Sequence, residues 1–267
     1  MSDTVTLIRE GAVAVLTLNR PESMNAMNAE LLNTLVERGE EVANDADVRC
    51  VVVTGNGRAF CAGGDIRAMA GRGPGDAPAD EGLVDRSDVL RRQEEISRLL
   101  YEMPKPTIAA INGAAAGAGL SVALACDIRI ASTAARFTTA FAKIGFSGDF
   151  GGTWTLQRLV GPAKARELYF LSEVLDAQAA LELGLVSRVV PAEELMAETM
   201  ALATRLAAGP TAAFGRIKGN FAYGATHTLA DTLTREAENM VASGKTEDHR
   251  SAAVAFLEKR EPEFRGR

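Results

Sequence analysis

The chain has little of what several kinds of catalytic site require. Its 267 residues include only three cysteines and two histidines. Because the cysteines are few and scattered, they exclude a disulfide framework and a zinc site of the Cys-x-x-Cys type. Both histidines, His227 and His249, lie in polar, helical stretches near the C-terminus. We therefore expect no metal site. Neither histidine is in a suitable place for a serine–histidine–aspartate triad.

Charge and hydropathy exclude further classes. The 35 acidic residues outnumber the 29 basic ones, which gives a net charge of −6. Contacts with a nucleic-acid backbone need a basic face, which this composition does not favour. No apolar run approaches the roughly 20 residues that span a bilayer, and the N-terminus does not resemble a secretion signal. The sequence therefore predicts a cytoplasmic protein that binds neither nucleic acid nor membrane.

The first two-thirds of the chain alternates strand and helix patterns. Residues 28–43 have the apolar spacing of a helix, with Asn28 as a candidate N-cap. Strands are predicted by alternation or by buried apolar runs, over 4–10, 12–19, 48–54, 107–111, 127–131 and 185–190. This order is typical of an α/β protein.

The pattern changes near residue 191, after which strand signals stop. Four amphipathic helices are predicted, at 192–208, 211–222, 227–243 and 247–260. Thr246 is a candidate N-cap for the last helix. We divide the chain into an α/β core, 1–191, and a helical region, 192–267, which is either a packed subdomain or an oligomerisation element. The Gly- and Pro-rich character of 70–92 predicts a mobile loop there.

Two glycine-rich segments, 57–66 and 111–120, follow predicted strands and open predicted helices. Neither has the Gly-Lys-Ser/Thr ending of a phosphate-binding loop, and a dinucleotide-binding interpretation is weak. Such a turn exposes backbone N–H groups at a helix N-terminus, and two of them together would form an oxyanion hole. The alternative is that the small residues only permit close packing of helix against sheet.

Several motifs, taken together and in order, resemble the crotonase (enoyl-CoA hydratase/isomerase) superfamily. They cover nearly the whole chain and comprise Asn19-Arg20-Pro21, Met24-Asn25-Ala26-Met27, 58–66, 112–119, 151–161, 179–186 and 256–264.

The resemblance implies an α/β fold built as a spiral of ββα repeats, with a C-terminal helical region that helps to build trimers or dimers of trimers. It also implies an acyl-CoA thioester substrate, so that coenzyme A is part of the substrate and no separate cofactor is needed. The thioester oxygen would accept hydrogen bonds from the N–H groups of Gly64 and Ala118. The coenzyme A portion would be held by a substrate-binding set, namely Ser23, Ala26, Ala62, Gly63, Asp65 and Ile66.

The sequence departs from the hydratase pattern at the two positions where hydratases carry glutamates. The first position is Ser121 and the second is Phe141. Neither side chain can act as a general acid or base near neutral pH. We expect most hydration activity to be lost, with Phe141 as part of the substrate pocket. Ser121 either places a hydroxyl near the substrate or only packs its helix.

Asp149 matches an aspartate that some isomerases and a dehalogenase of this superfamily use. Its sequence neighbourhood holds Phe141, Phe146, Phe150 and Trp154. Burial among these rings would raise the pKa of Asp149 and suit it to proton transfer. The alternative is that Asp149 caps the helix that begins near Gly151. Trp154 is predicted to be a wall of the substrate pocket.

These observations favour an enoyl-CoA isomerase in which Asp149 acts as acid and base above the oxyanion hole. The substrate is a linear, cyclic or aryl acyl-CoA. One alternative is a hydratase or dehydratase that uses Asp149 with a second, unrecognised group. The other is an acyl-CoA-binding homologue without turnover.

Overall fold

The computed structural model describes residues 4–66 and 83–267. The strands within these ranges are β1 (Val5–Glu10), β2 (Val13–Leu18), β3 (Cys50–Gly55), β4 (Ala59–Cys61), β5 (Thr107–Ile111), β6 (Ala114–Ala116), β7 (Ile128–Ser132), β8 (Arg136–Thr138), β9 (Leu175–Asp176) and β10 (Arg188–Val190). The helices are α1 (Ala29–Asn44), α2 (Leu83–Gln93), α3 (Glu95–Glu102), α4 (Ala118–Ala125), α5 (Gly152–Val160), α6 (Pro162–Leu171), α7 (Ala177–Glu182), α8 (Leu195–Ala207), α9 (Thr211–Gly224), α10 (Leu229–Gly244) and α11 (Glu247–Leu257).

The strands form two sheets, and from β3 to β8 consecutive strands alternate between them. The larger sheet has the order β1-β2-β3-β5-β7-β10, and the smaller has the order β4-β6-β8-β9. Strands β3, β5 and β7 belong to the larger sheet, and each is followed by a strand of the smaller one. Since α4 follows β6 and α5 follows β8, the chain winds as strand, strand and helix. The predicted α/β spiral is confirmed.

The central strands are buried on both faces because both faces of the larger sheet are covered. Every residue of β3 and of β5 is buried. On one side lies the main core, to which α1 contributes Leu31 and Leu35. As predicted, Asn28 caps α1, its side-chain oxygen accepting the Leu31 N–H at 2.9 Å. Helix α8 covers the other side through residues such as Leu202.

The helix pattern predicted after residue 191 is confirmed, with small differences at the ends. The predicted cap at Thr246 is present, since its hydroxyl accepts the His249 N–H at 3.1 Å. Helix α8 packs on the sheet, so the first helix after the predicted boundary contributes to the core of the α/β part. Among the described residues, no helix is long and apolar enough to cross a membrane.

Two sequence predictions need correction. The mobile loop predicted over 70–92 is wrong from Leu83 onward, where α2 begins, and the rest of that segment lies outside the described residues. Residues 86–92 of α2 are exposed, Val89 and Leu90 among them, so this part of the helix has no buried apolar face. The strand predicted over 185–190 begins only at Arg188, because Leu185 packs in the core beside α7.

Candidate active site

The two glycine-rich segments lie against each other, as an oxyanion hole requires. Gly63 has a φ of +92°, and a Cβ added there would stand 2.9 Å from the Ala116 carbonyl oxygen and 3.7 Å from the Ala118 nitrogen. Gly119 makes an equally close contact, because a Cβ on it would stand 2.5 Å from the Cys61 carbonyl oxygen. Glycine is therefore needed at both positions for the turn after β4 to reach the start of α4.

The two predicted donors have no partner among the described residues. Gly64 lies in an isolated bridge with Met27, in which Met27 donates to the Gly63 carbonyl at 2.7 Å and Asp65 donates to the Met27 carbonyl at 3.1 Å. This pattern leaves the Gly64 N–H unused. Ala118 is the first residue of α4, where an N–H has no acceptor within the helix. Both groups are available to an oxygen anion.

The turn after β4 is fixed by an ion pair. The Arg20 guanidinium lies 3.2 Å from the Asp65 carboxylate, and both side chains are less than one-fifth exposed. Arg20 also donates a hydrogen bond to the carbonyl of Ala26. Asp65 therefore orients the backbone on either side of Gly64. Arg20 appeared in the sequence only as part of a motif, and nothing local indicated its partner 45 residues away.

The predicted substrate-binding residues of the coenzyme A side lie in two adjoining segments. The Ala62 N–H donates to the Met24 carbonyl at 3.0 Å, which joins the 20–27 segment to the 61–66 segment. Ser23 turns its hydroxyl back to the Arg20 carbonyl at 3.1 Å. Ile66 is 51% exposed. The structure thus brings together Ser23, Ala26, Ala62, Gly63, Asp65 and Ile66.

Asp149 lies in a strained turn immediately before α5. The neighbouring φ angles are +110° at Gly148, +52° at Phe150 and +71° at Gly151. Gly151 is the N-cap of α5, and no side chain caps this helix. The capping alternative for Asp149 is therefore not observed. Instead, its Oδ1 atom is buried and has no hydrogen-bond partner among the described residues.

Burial raises the pKa of Asp149 to about 6, and the nearby Glu94 carboxylate adds to the increase. Both effects disfavour the charged form, because the carboxylate loses hydration and faces a like charge. Glu94 lies between α2 and α3 and accepts the Phe150 N–H on Oε1 at 2.9 Å. Sequence analysis missed Glu94, since it lies 56 residues from its partner and just beyond the segment predicted as a loop.

Two hydroxyl groups lie against Gly152, three residues after Asp149. A Cβ added to Gly152 would stand 2.2 Å from Ser121 Oγ and 2.5 Å from the Tyr169 hydroxyl, so both oxygens lie against this glycine. Burial raises the pKa of Tyr169 to about 12, with a smaller contribution from Asp149, so the phenol stays protonated. The Tyr169 ring stacks on Phe141 with centroids 5.9 Å apart. Sequence analysis did not single out Tyr169, because α6 carries no motif that marks it.

Ser121 connects this cluster to the start of α4, where the predicted donor Ala118 lies. It lies in the first turn of α4 after Ala118, is 2% exposed, and donates to the Gly117 carbonyl at 3.3 Å. The two positions at which the resemblance places hydratase glutamates, Ser121 and Phe141, therefore both lie at the Tyr169 end of the site.

The predicted aromatic neighbours of Asp149 differ in their placement. Phe141 and Phe150 are buried, whereas Phe146 is 54% exposed. Trp154 contacts the Tyr101 ring edge-on at 5.0 Å, and the Arg158 guanidinium lies 3.6 Å from its ring centroid. It lines a cavity of about 540 Å³ between α5 and α9, and also a second cavity of about 420 Å³ that Glu94, Phe150 and Gly151 line.

Cys61 and the possible metal ligands show no sign of a catalytic role in the described part of the chain. Cys61 is fully buried, which raises its pKa to about 12. Its thiol donates to the Asn25 carbonyl at 3.1 Å. In the described part of the chain, no three histidine, cysteine, aspartate or glutamate side chains stand close enough to hold a metal ion. The site chemistry that these residues can supply is proton transfer and hydrogen bonding.

A family model described as enoyl-CoA hydratase/isomerase matches residues 9–267. The chain is 42% identical over 260 residues to a protein of Rhodobacter capsulatus named "Probable enoyl-CoA hydratase", covering 97% of this chain and 96% of the relative. It is 41% identical over 258 residues to the 1,2-epoxyphenylacetyl-CoA isomerase of Escherichia coli, covering 97% of both. A solved enoyl-CoA hydratase from Polaromonas has a TM-score of 0.90 at 33% identity, covering 98% of this chain and 99% of the other.

Proposed function

Because the chain belongs to the enoyl-CoA hydratase/isomerase family, the crotonase superfamily, we propose that it is an acyl-CoA isomerase that moves a double bond through a thioester enolate. Gly64 and Ala118 donate their N–H groups to the thioester oxygen, and Asp149 carries the proton. The observation that supports this assignment best is the buried Asp149 oxygen without a hydrogen-bond partner, which is free to meet a substrate C–H. The side chains of Ser121 and Phe141 supply no carboxylate at the hydratase positions.

The proton balance is simple. Asp149 removes a proton from C2 of a 3-enoyl thioester, and the electron pair becomes an enolate whose oxygen accepts the two N–H groups. The same carboxyl group returns the proton at C4, so that the C3=C4 bond is replaced by a C2=C3 bond. No other reactant is consumed. A pKa of about 6 suits this cycle, because Asp149 is ionised near pH 7 and is still acidic enough to give the proton back.

The substrate we propose carries coenzyme A, and the proposed reaction needs no separate cofactor. The name of the Escherichia coli relative refers to an aryl acyl-CoA isomerase, which supports testing cyclic and aryl acyl groups beside linear ones. The buried rings of Phe141 and Phe150 are compatible with either.

A hydratase is the second candidate, and one observation favours it. Water addition needs a base for the water and an acid for the carbon, and Glu94 supplies a second carboxylate close to Asp149. Several relatives, including the one from Rhodobacter capsulatus, carry hydratase names. Against it, Glu94 already accepts the Phe150 N–H.

We also propose that the chain assembles as a trimer or a dimer of trimers in the cytoplasm. Large apolar side chains on the last two helices are mostly exposed, with Leu229 at 75%, Met240 at 74% and Phe256 at 82%. Apolar faces of this kind mark association surfaces in proteins. Sedimentation equilibrium of the purified chain measures the assembly directly, and a monomer would contradict this proposal.

The test of the proposed reaction offers the wild-type protein two substrates in parallel. Conversion of a 3-enoyl-CoA into its conjugated isomer is compared with hydration of crotonyl-CoA. We expect kcat/KM for isomerisation to exceed that for hydration at least tenfold. Faster hydration would make the hydratase the correct function. Tight binding of both thioesters without any product would point to a homologue without turnover.

A further inference from the structure

Glu94 is held rigidly at the junction of two helices. Its backbone is helical, with φ −69° and ψ −10°, and it lies between the last residue of α2 and the first residue of α3. The Glu94 N–H donates to the Leu90 carbonyl at 2.8 Å, and the Glu94 carbonyl accepts the Ser97 N–H at 3.0 Å. The side chain therefore starts from a backbone that both helices fix.

From this junction, the Glu94 side chain contacts the backbone N–H of Phe150, the residue after Asp149. Its Oε1 atom accepts the Phe150 N–H at 2.9 Å. Phe150 adopts a left-handed φ of +52° and is only 2% exposed. A left-handed conformation is unfavourable for a residue with a Cβ, so it persists only where its surroundings hold it. The buried Phe150 ring, the hydrogen bond to Glu94 and the Gly152 N–H, which donates to the Asp149 carbonyl at 3.1 Å, hold this turn.

The negative charge of Glu94 also acts on Asp149, since it disfavours ionisation of that carboxyl group. Of the arginines on α2 and α3, Arg91 lies 3.3 Å from Glu95, and Arg98 pairs with both Glu95 and Glu102. Within the described residues, Glu94 itself has no ion pair. In the described part of the chain, the titratable groups that lie near Asp149 are Glu94 from the α2–α3 junction and the Tyr169 phenol from α6.

We propose that Glu94 is a positioning residue for Asp149: one carboxylate oxygen holds the turn that presents Asp149 to the substrate, while its negative charge opposes that of Asp149. Two neighbouring carboxylates ionise less readily than one, so Asp149 keeps its proton up to a higher pH than it would alone. This inference rests on the proposed function, because it assumes that Asp149 is the acid and base of the reaction.

The test separates the two contributions with two variants. Glu94→Gln keeps an oxygen that accepts the Phe150 N–H but removes the charge, whereas Glu94→Ala removes both. For Glu94→Gln, we expect the acidic limb of the kcat/KM profile to move down by about one pH unit, with KM unchanged. For Glu94→Ala, we expect kcat to fall roughly tenfold or more at every pH. Glu102→Gln, an exposed carboxylate of α3, is the matched control and changes neither quantity.

A second readout does not depend on turnover. The 13C carboxyl signal of Asp149, identified by its loss in Asp149→Asn, is titrated in the wild type and in Glu94→Gln. A lower midpoint in the variant supports the proposal, and an unchanged midpoint overturns it. Loss of turnover in Glu94→Gln with an unchanged midpoint would also overturn it and give Glu94 a direct role in proton transfer. Full activity of Asp149→Asn would instead refute the proposed function and leave the titration result standing.

Discussion

Two aspartates flank the candidate site in similar turns, and they are held in opposite ways. Asp65 and Asp149 each lie close to a glycine with a positive φ, Gly63 at +92° and Gly148 at +110°. The Asp65 carboxylate meets a guanidinium at 3.2 Å. The Asp149 carboxylate has an oxygen without a partner and faces a second carboxylate. The paired charge indicates a structural role for Asp65, whereas the unpaired oxygen of Asp149 supports the proposal that this carboxylate acts on the substrate.

The difference also has a thermodynamic meaning. A paired, partly buried charge contributes to the orientation of a turn, and its loss leaves the partner uncompensated. A buried carboxylate without a partner lowers the stability of the folded state, and such groups are found at catalytic sites. If the contrast is real, variants around the two aspartates should differ in turnover, in stability and in their dependence on pH.

The sharpest contrast is in turnover. Asp149→Asn should lower kcat for double-bond migration by roughly 10³, because it removes the only proton carrier of the proposed cycle. Asp65→Asn should raise KM and lower kcat less than tenfold, since Asp65 acts on the turn. Steady-state kinetics of both variants with a 3-enoyl-CoA measure the contrast. The reverse order of effects would exchange the two roles.

The close contact between the glycine-rich turns can be broken at Gly63. Gly63→Ala should lower kcat by about 10², because the new methyl group would meet the Ala116 carbonyl at 2.9 Å and displace the proposed oxyanion donors. Gly184→Ala is the matched control, since Gly184 has a φ of +74° and open space around it. It should lose stability while keeping its turnover. Equal losses of turnover in both variants would show that backbone strain, rather than displacement of the donors, is responsible.

Removing the partner of Asp65 should affect stability. Arg20→Ala should lower the free energy of unfolding by about 2 kcal/mol, because it leaves a mostly buried carboxylate without its cation. Urea unfolding at pH 7 measures the change. The double variant Arg20→Ala/Asp65→Asn should recover part of the loss. No recovery would mean that Arg20 acts mainly through its bond to the Ala26 carbonyl.

Removing the charge of Asp149 should raise the free energy of unfolding, whereas removing the partner of Asp65 should lower it. Its pKa is raised from 3.8 to about 6, so folding favours the protonated form, and this contribution is lost as the pH rises through about 6. Asparagine cannot ionise, so Asp149→Asn should raise the free energy of unfolding by about 1–3 kcal/mol above pH 7. Below pH 4 the advantage should vanish. Urea unfolding at pH 4 and pH 8 measures both values, and a destabilised variant at pH 8 would contradict the account.

The smallest effect is expected at Tyr169. Tyr169→Phe keeps the ring stacked on Phe141 and removes only the hydroxyl beside Gly152. We expect a loss of kcat of less than about tenfold with an unchanged fold, measured by the same assay and by circular dichroism. A loss as large as that of Asp149→Asn would make the phenol a second proton carrier.

What the sequence could predict was local or carried by motifs. The buried run of β3, the Asn28 cap, the glycine-rich turns and Asp149 are all visible within a few neighbouring residues. Glu94 could not be found in this way, because its role depends on a contact with Phe150, 56 residues further along the chain.

The same reason applies to the other groups that sequence analysis missed. Arg20 reaches Asp65 across 45 residues, and Tyr169 joins Ser121 only because α4, α5 and α6 pack together around Gly152. Helix α2 was missed because the Gly- and Pro-rich residues before it indicated a loop, and because its residues 86–92 form no buried apolar face. Sequence patterns thus indicated which turns matter, and the tertiary structure determines which charges act on them.

The most direct test of the central claim follows a 3-enoyl-CoA in deuterated water with the wild-type protein and with Asp149→Asn. We propose that Asp149 carries the proton, and we therefore expect a conjugated product that carries deuterium from exchange at Asp149 and loss of both product and deuterium uptake in the variant. Conjugated product formed at an undiminished rate by Asp149→Asn would contradict it, as would a wild-type product dominated by the hydrated thioester.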